Sequence, residues 1–155
     1  METTPSSNGI NIIGTSNGPG QNGEQPRAKT TYKRIVVRIS AAGKIISSNA
    51  GAFENGIKSI WGVSAFCNQN DDRIFNLSAK IEINGVEKTP ADFDVRMMHA
   101  YSSVAVGTNR FLYLDNEPAG NRIIKITAVD SSEADDFAAD GGAYDVTFMF
   151  LCLLD

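Results

Sequence analysis

His99 is the only imidazole in this chain of 155 residues, so any Ser-His-Asp or Cys-His catalytic site would have to use it. It follows the run Phe93–Met98, in which apolar and polar residues largely alternate, and the chain has no Gly-x-Ser-x-Gly motif. A single histidine at the end of a predicted strand is most often an ordinary surface or edge residue. We therefore predict no catalytic residue of this kind.

Three pairs of acidic residues invite comparison with glycosidases, which place two carboxylates about 5–10 Å apart across a cleft. The pairs are Asp71-Asp72, Asp92/Asp94 and Asp115/Glu117, all near predicted strand ends. Sugar-binding clefts are usually lined by several aromatic side chains, whereas this chain has one tryptophan. Solvated turn residues are the better interpretation, and we do not predict an enzyme.

Few residues are available to bind a metal or cofactor. One histidine and two cysteines cannot build a Cys₄ or Cys₂His₂ zinc site. The segment Asp130–Asp136 offers oxygens for Ca²⁺ but lacks the ligand spacing and distal glutamate of an EF-hand loop. We favour a solvated acidic loop, with calcium binding as the alternative, and predict no cofactor.

The two cysteines, Cys67 and Cys152, both lie inside apolar runs. A chain of this length buries about 70% of its unfolded surface and does not need a disulfide for stability. We predict two buried free thiols rather than a bridge.

The charge balance argues against binding to duplex DNA. The chain carries 18 acidic and 14 basic residues, a net charge of −4, whereas affinity for phosphate comes mainly from clustered lysine and arginine. The densest basic group comprises Arg27, Lys29, Lys33, Arg34 and Arg38. We interpret it as charge on an exposed edge strand, which opposes aggregation. The glycine-rich segment 17–23 lacks the Gly-Lys-Ser/Thr of a phosphate loop.

Period-two alternation, which is typical of β-strands, dominates the chain from Tyr32 onward. The alternating segments are Tyr32–Ser40, Ile57–Cys67, Ile74–Ile83, Phe93–Met97, Arg110–Leu114, Arg122–Val129 and Tyr144–Leu154. The pattern places Trp61 on the same face as Val63, and Phe75 on the same face as Leu77. The last segment is apolar on both faces from Met149 onward, which indicates a central or covered strand.

Turn residues separate these segments. Asn84-Gly85 is the strongest hairpin signal because a type I′ turn needs positive φ at both central residues. Glu117–Asn121 and Ser40–Lys44 are further predicted turns, and Asp130–Ala143 is a predicted polar loop. Without a helix longer than one or two turns, seven or eight short strands predict an all-β, antiparallel β-sandwich. Jelly-roll and Ig-like strand orders both remain open.

Residues 1–31 differ in composition from the rest, with five of the fourteen glycines and three of the five prolines. Alone, such a segment buries too little apolar surface to offset its ordering entropy. We therefore predict an extended arm at 1–31 and a β-sandwich domain at 32–155. Ile10, Ile12 and Ile13 are the candidate anchors of the arm. They would bind a neighbouring subunit or, alternatively, the arm's own domain.

A Gly/Asn/Ser/Pro-rich arm followed by a β-sandwich resembles the small jelly-roll structural proteins of icosahedral, tailless bacteriophage virions. Within the domain, the resemblance rests on the runs Ile81–Glu87, Asp92–Val95, Asn109–Leu114 and Pro118–Asn121. It implies a non-enzymatic capsid, vertex or decoration subunit. Such a subunit would form a cyclic homo-oligomer, contact other virion proteins and assemble in the cytoplasm of an infected bacterium. No site residue is carried over from the family.

The alternative function is a glycan- or host-surface-binding module, in which Trp61, Tyr101 and Tyr113 would be the aromatic platforms. The first residues, 1–5, have neither the basic nor the apolar region of a signal peptide, so none is expected. No run of eighteen apolar residues predicts a membrane-spanning helix. We expect the protein in the virion, with no specific nucleic-acid partner.

Overall fold

The computed structural model describes residues 29–50, 56–67, 71–99, 111–119 and 123–154. These residues form eight β-strands: β1 (Thr30–Ile39), β2 (Ile46–Ala50), β3 (Ile57–Cys67), β4 (Leu77–Ile83), β5 (Val86–Glu87), β6 (Leu112–Pro118), β7 (Ile124–Asp130) and β8 (Tyr144–Leu154). The helical segments are the 3₁₀ turns Asp71–Asn76 and Val95–Met98 and one short helix, α1 (Ala134–Ala139). Within these described residues, the prediction of an all-β fold with little helix is confirmed.

The strands form two antiparallel sheets of four. Sheet A has the order β1-β8-β3-β6, and sheet B has the order β2-β7-β4-β5. The first strand pairs with the last, the second with the seventh, the third with the sixth and the fourth with the fifth. Pairing of β3 with β8 and of β4 with β7 completes the two sheets.

The core contains the inward-pointing residues of both sheets, and the predicted alternation locates most of them. On β1, Ile35, Val37 and Ile39 are buried while the residues between them are exposed. Fully buried residues on the other long strands are Ala79, Ile81 and Ile83 on β4, Ile124 and Ile126 on β7, and Val146, Phe148, Phe150 and Cys152 on β8. Each large apolar side chain buried in this way contributes about 1.5–3 kcal/mol to folding.

β8 is a central strand of sheet A, as its apolar composition on both faces predicted. It pairs with β1 on one side and with β3 on the other. Its inward side chains are fully buried, and its outward residues Met149, Leu151 and Leu153 are half-buried. The outer surface of sheet A is therefore partly apolar.

The hairpin prediction at Asn84-Gly85 is confirmed. Asn84 has φ 52° and Gly85 has φ 77°, the left-handed values that a type I′ turn needs at both positions. The turn joins β4 to β5, with Ile83 opposite Val86.

Two predicted strands are partly wrong because local helical geometry replaces the alternation. Residues 74–76 belong to the 3₁₀ turn before β4, so Ile74 is buried and Phe75 is 44% exposed, not on the inward face with Leu77. The predicted strand Phe93–Met97 has only an isolated bridge, from Asp94 to Ser78.

The segment after Asp94 turns because of a local side-chain hydrogen bond. The Asp94 carboxylate accepts from the backbone N–H of Arg96 at 2.9 Å and starts the second 3₁₀ turn. Val95 and Met98 are then buried with a spacing of three, while Met97 is 64% exposed.

β3 is predicted with correct ends, but its alternation is interrupted at Trp61. The register with β8 and with β6 shifts between Ile60 and Gly62, which makes Trp61 a bulge residue. Ile60 and Val63 both point into the core, and Trp61 is 38% exposed instead of sharing the face of Val63.

β6 begins and ends later than predicted. Instead of starting a turn, Glu117 and Pro118 pair with Ile60 and Ser59 of β3. The chain bends before them, at Asp115 and Asn116, whose φ values are 51° and 54°. The remaining residues of the predicted turn, 120 and 121, lie outside the described residues, as does Arg110.

β2 is a strand that the sequence analysis missed, and the predicted polar loop after β7 contains α1. Ile46–Ala50 is short and polar, and β7 provides its pairing. In α1, Phe137 is buried against the core.

Cys67 and Cys152 are buried free thiols, as predicted. Cys67 pairs with Val146 of β8, and Cys152 lies six residues further along that strand. That separation is roughly 20 Å, far beyond the Cα distance of about 7 Å that a disulfide allows.

Candidate functional site

The outer faces of the two sheets differ in chemistry. On sheet B the outward side chains are mostly polar, with Val129 as an exception, and several of them bond to one another. The Glu82 carboxylate lies 3.3 Å from the Lys80 ammonium and 3.6 Å from that of Lys125, and the hydroxyls of Ser47 and Thr127 are 3.2 Å apart. Such a face is suited to contact with water.

The outer face of sheet A carries the charged residues Arg34, Arg38 and Asp145 and is otherwise largely apolar; we define its apolar part by seven outward residues. They are Tyr32 and Val36 on β1, Phe66 on β3, Tyr113 on β6, and Met149, Leu151 and Leu153 on β8. Tyr32, Val36 and Tyr113 are each at least half exposed. Isolated exposed apolar residues are common, but several on one face mark an interaction surface.

The strand register aligns the outer face in rows that cross sheet A. One row runs Tyr32, Leu151, Gly62 and Tyr113, with one residue from each strand. The ends of the row are three strand spacings apart, roughly 14 Å. Tyrosine therefore stands at both ends of the row, and Gly62, which is buried, contributes no side chain between Leu151 and Tyr113.

Close approach of the next strand requires a glycine at Gly62. A Cβ atom there would lie 2.9 Å from the carbonyl oxygen of Leu112 and 3.2 Å from the Cβ of Phe111. Trp61 bulges beside this position and packs edge-on against Tyr113, with 6.1 Å between ring centroids and an interplanar angle of 79°. The bulge thus places two aromatic rings beside the buried backbone of Gly62.

The outer face has an open half and a closed half. The open half consists of the row that contains Gly62 and the neighbouring row of Thr30, Leu153, Ser59 and Pro118. Tyr32 and Tyr113 at the edges of the open half are 51% and 56% exposed, while Ser59 and Gly62 between them are buried. Further along the sheet, Ser64 and Thr147 are fully buried, and among the apolar residues described there only Val36 at the β1 edge is half exposed. None of the eight residues in the two open rows is charged.

The structure brings together two of the three predicted binding aromatics. Trp61 and Tyr113 form the edge-on pair, and the side-chain amide of Asn116 donates to the Tyr113 hydroxyl at 3.4 Å. Tyr101 lies outside the described residues, as do the predicted arm anchors Ile10, Ile12 and Ile13. The roles of these four residues stay predictions.

His99 is buried rather than at the surface. Its Nδ1 is 3.1 Å from the carbonyl oxygen of Ala65, and its backbone forms an isolated bridge to the same residue. The imidazole therefore helps to hold the segment after the second 3₁₀ turn against β3.

One member of each of two predicted acid pairs, Asp94 and Glu117, has a local basic partner. Hydrogen bonds from Arg96 hold the pKa of Asp94 below its usual value. Glu117 forms a 2.6 Å ion pair with Lys88, which links the β5 end of sheet B to β6 of sheet A. Among the side chains that the structure describes, no group of three His, Cys, Asp or Glu residues is arranged to hold a metal ion.

The acidic loop is organised around a buried carboxylate. Asp130 is 2% exposed and accepts hydrogen bonds from the Tyr144 hydroxyl at 2.6 Å and from the Ser132 hydroxyl. Burial and this contact raise the pKa of Tyr144 far above its usual value. The hydrogen bond from Tyr144 to Asp130 therefore joins the start of β8 to the end of β7.

Sequence reasoning missed Tyr32, Gly62 and the two leucines of the open half as site residues. The apolar second face of β8 was visible in the sequence, and so were Tyr32 and Val36 between the charged residues of β1. Alternation does not show which strands lie beside β8. The row of Tyr32, Leu151, Gly62 and Tyr113 could therefore be identified only from the strand register.

No helix in the described ranges is long and apolar enough to cross a membrane. No protein-family model matches this chain, and no curated protein is significantly similar to it. A solved structure, that of a cyanophage Pam1 capsid asymmetric unit, is similar over 100% of both chains at 13% sequence identity and a TM-score of 0.33. A TM-score this low carries no argument, so the fold and the site rest on the geometry of this chain.

Proposed function

We propose that this chain is a non-enzymatic structural subunit of a virion shell: a capsid, vertex or decoration protein. It associates with copies of itself, in a cyclic oligomer, and with other virion proteins, and it assembles in the host cytoplasm. The apolar outer face of sheet A is the observation that carries the proposal. A protein that stayed a monomer would gain nothing from several exposed aromatic and aliphatic side chains on one sheet.

We also infer that the sandwich is a jelly roll rather than an Ig-like fold. Two four-stranded sheets in the orders β1-β8-β3-β6 and β2-β7-β4-β5 support this, because they result from rolling up one long antiparallel hairpin. Jelly rolls serve as viral capsid domains, lectins and cupins. The fold is therefore compatible with a role in a shell but does not by itself identify that role, which has to be argued from the surface residues.

The two outer faces differ in chemistry, so each suits different surroundings in the assembly. The charged face of sheet B is suited to solvent, and the apolar face of sheet A to another protein. A ring closes when two different patches of one chain meet around an axis. The outer face of sheet A supplies one such patch, and the N-terminal arm supplies the second.

A pair of surface variants tests the assembly role by sedimentation velocity over a range of concentrations. Tyr32→Glu puts a charge on the outer face, and Phe75→Glu is the matched control, an exposed aromatic residue away from that face. We expect wild type and Phe75→Glu to form the same oligomer. Tyr32→Glu should weaken association at least about tenfold. A monomeric wild type, or equal effects of the two variants, would refute the proposal.

The edge-on pair of Trp61 and Tyr113 favours a second candidate, binding of a glycan or host surface. Two partly exposed rings at nearly right angles offer apolar faces to a sugar ring. On a glycan array this candidate predicts hits that disappear in both Trp61→Ala and Tyr113→Ala. An array without hits for the wild type would leave only the assembly role.

A further inference from the structure

We propose that the open half of the outer face binds the segment Ile10–Ile13 from the N-terminus of a second copy of this chain. The inference rests on the proposed assembly function and adds where one subunit holds the next. It gives the three isoleucines and the exposed apolar side chains of the open half a single shared role.

The position at which the chain enters the fold supports this pairing. β1 begins at Thr30, which belongs to the open half, and the backbone N–H of Leu154 donates to the carbonyl of Lys29 at 2.8 Å. The 28 preceding residues therefore start from the edge of the open half. Ile13 lies sixteen residues before Lys29, so an extended chain carries it as far as ~50 Å, several times the width of the face.

The chemistry of the two partners is matched. Residues 3–23 carry no charged side chain, and neither do the two rows of the open half. The face offers apolar side chains at Tyr32, Leu151 and Leu153 and small neutral ones at Ser59 and Gly62. By contrast, the outer face of sheet B would meet the isoleucines with charged lysine and glutamate.

The spacing of the isoleucines fits the outward leucines of β8. In an extended segment, Ile10 and Ile12 point to the same side and are about 7 Å apart. Leu151 and Leu153 lie two residues apart on the outward side of β8, which is also about 7 Å, and both are partly exposed. Ile10 and Ile12 can therefore contact both leucines at once.

We take the second copy as the occupant because assembly is the proposed function and the segment and the face are different patches. A contact between them from copy to copy is heterologous and forms a ring when it closes. Docking of the segment on its own domain would instead fill the face and leave each subunit alone.

Complementation between two full-length variants tests the inference. The arm variant carries Ile10→Asp, Ile12→Asp and Ile13→Asp, and the face variant carries Tyr32→Glu and Tyr113→Glu. The matched controls are Ile45→Asp and Ile123→Asp, which replace exposed isoleucines elsewhere. Circular dichroism checks that each variant is folded, and Tyr32→Glu alone replaces the face variant if the double change unfolds it.

Native mass spectrometry then gives the mass of each protein alone and of an equimolar mixture. We expect closed oligomers for the wild type and the controls, and a monomer of 16.7 kDa for each variant alone. The mixture should form a one-to-one dimer of twice that mass, because the arm of one variant meets the face of the other and no further contact remains.

The failures of the two proposals are distinguishable. If the wild type is oligomeric and the arm variant keeps the same oligomer, this inference is wrong while assembly stands. If both variants are monomeric but do not dimerise when mixed, the segment does not bind this face in another copy. A wild type that stays monomeric refutes the assembly function itself.

Discussion

At the scale of single residues, Arg73 holds the end of α1 to the sandwich. Its guanidinium donates to the carbonyls of Asp140 and Gly142 at 2.5 and 2.6 Å and lies 4.4 Å above the ring of Tyr144. Planar, forked donors of this kind satisfy carbonyls that a helix end leaves free. The polar loop thus gains a fixed shape from one side chain in the 3₁₀ turn before β4.

Replacing Arg73 should therefore cost stability. Arg73→Lys keeps the charge but loses the fork and most of the ring contact, and we expect the free energy of unfolding to fall by about 1–3 kcal/mol. Urea unfolding measures the change. Arg34→Lys, at an exposed position of β1, is the control and should have little effect; equal losses in the two variants would contradict this account of Arg73.

A second prediction concerns Cys152 and alkaline pH. Burial raises the pKa of this thiol from 9.0 to about 11. The thiol ionises first in the unfolded state. The stability that Cys152 contributes is therefore fully present below pH 9 and is lost as pH rises from about 9 to about 11. We expect the free energy of unfolding to fall by at most about 1.4 kcal/mol per pH unit from this group. Cys152→Ala should flatten that slope, and an unchanged slope would show that other groups cause it.

At the scale of elements, β6 depends on the bare backbone of Gly62. We expect Gly62→Ala to lower the free energy of unfolding by about 1–3 kcal/mol, because its methyl group would press on the carbonyl oxygen of Leu112. Tyr113 should move with β6, and the change in the environment of Trp61 should shift its fluorescence.

Ser64→Ala is the neighbouring control on the same strand and face. The Ser64 hydroxyl is fully buried and has no hydrogen-bond partner within the described part of the chain. Its removal should leave stability unchanged or increase it. If Ser64→Ala were as destabilising as Gly62→Ala, tight packing between β3 and β6 would not explain the need for glycine.

The elements also show which strands the alternation of apolar and polar residues can predict and which it cannot. Alternation located β1, β4, β7 and β8 because one face of each is buried in the core. It failed where a local interaction outweighed the strand period: the Asp94 carboxylate turned the predicted strand after residue 93 into a 3₁₀ turn. It also missed β2, whose short polar sequence becomes a strand only through pairing with β7.

The candidate site was predictable only in part for the same reason. Trp61, Tyr101 and Tyr113 were predicted as binding aromatics, and the bulge in β3 does place Trp61 and Tyr113 together. Tyr32 and Leu151 join them only because β1 and β8, the first and last strands, are neighbours. That pairing is a property of the whole chain and cannot be predicted from any short segment of sequence.

At the scale of the whole molecule, the N-terminal segment should be dispensable for folding and needed for assembly. Deleting residues 1–28 keeps Lys29, whose carbonyl bonds to Leu154, and leaves β1 complete. We expect an unchanged circular dichroism spectrum and no oligomer by light scattering. A truncated protein that assembles like the wild type would show that the arm is not an assembly element.

The central claim is that the apolar outer face of sheet A is covered by other copies of the chain. The most direct test is the mass of the full-length protein in solution by native mass spectrometry, at concentrations from nanomolar to micromolar. We predict a stable closed oligomer, a ring of about five or six subunits of 16.7 kDa each. A monomer throughout that range would contradict the claim.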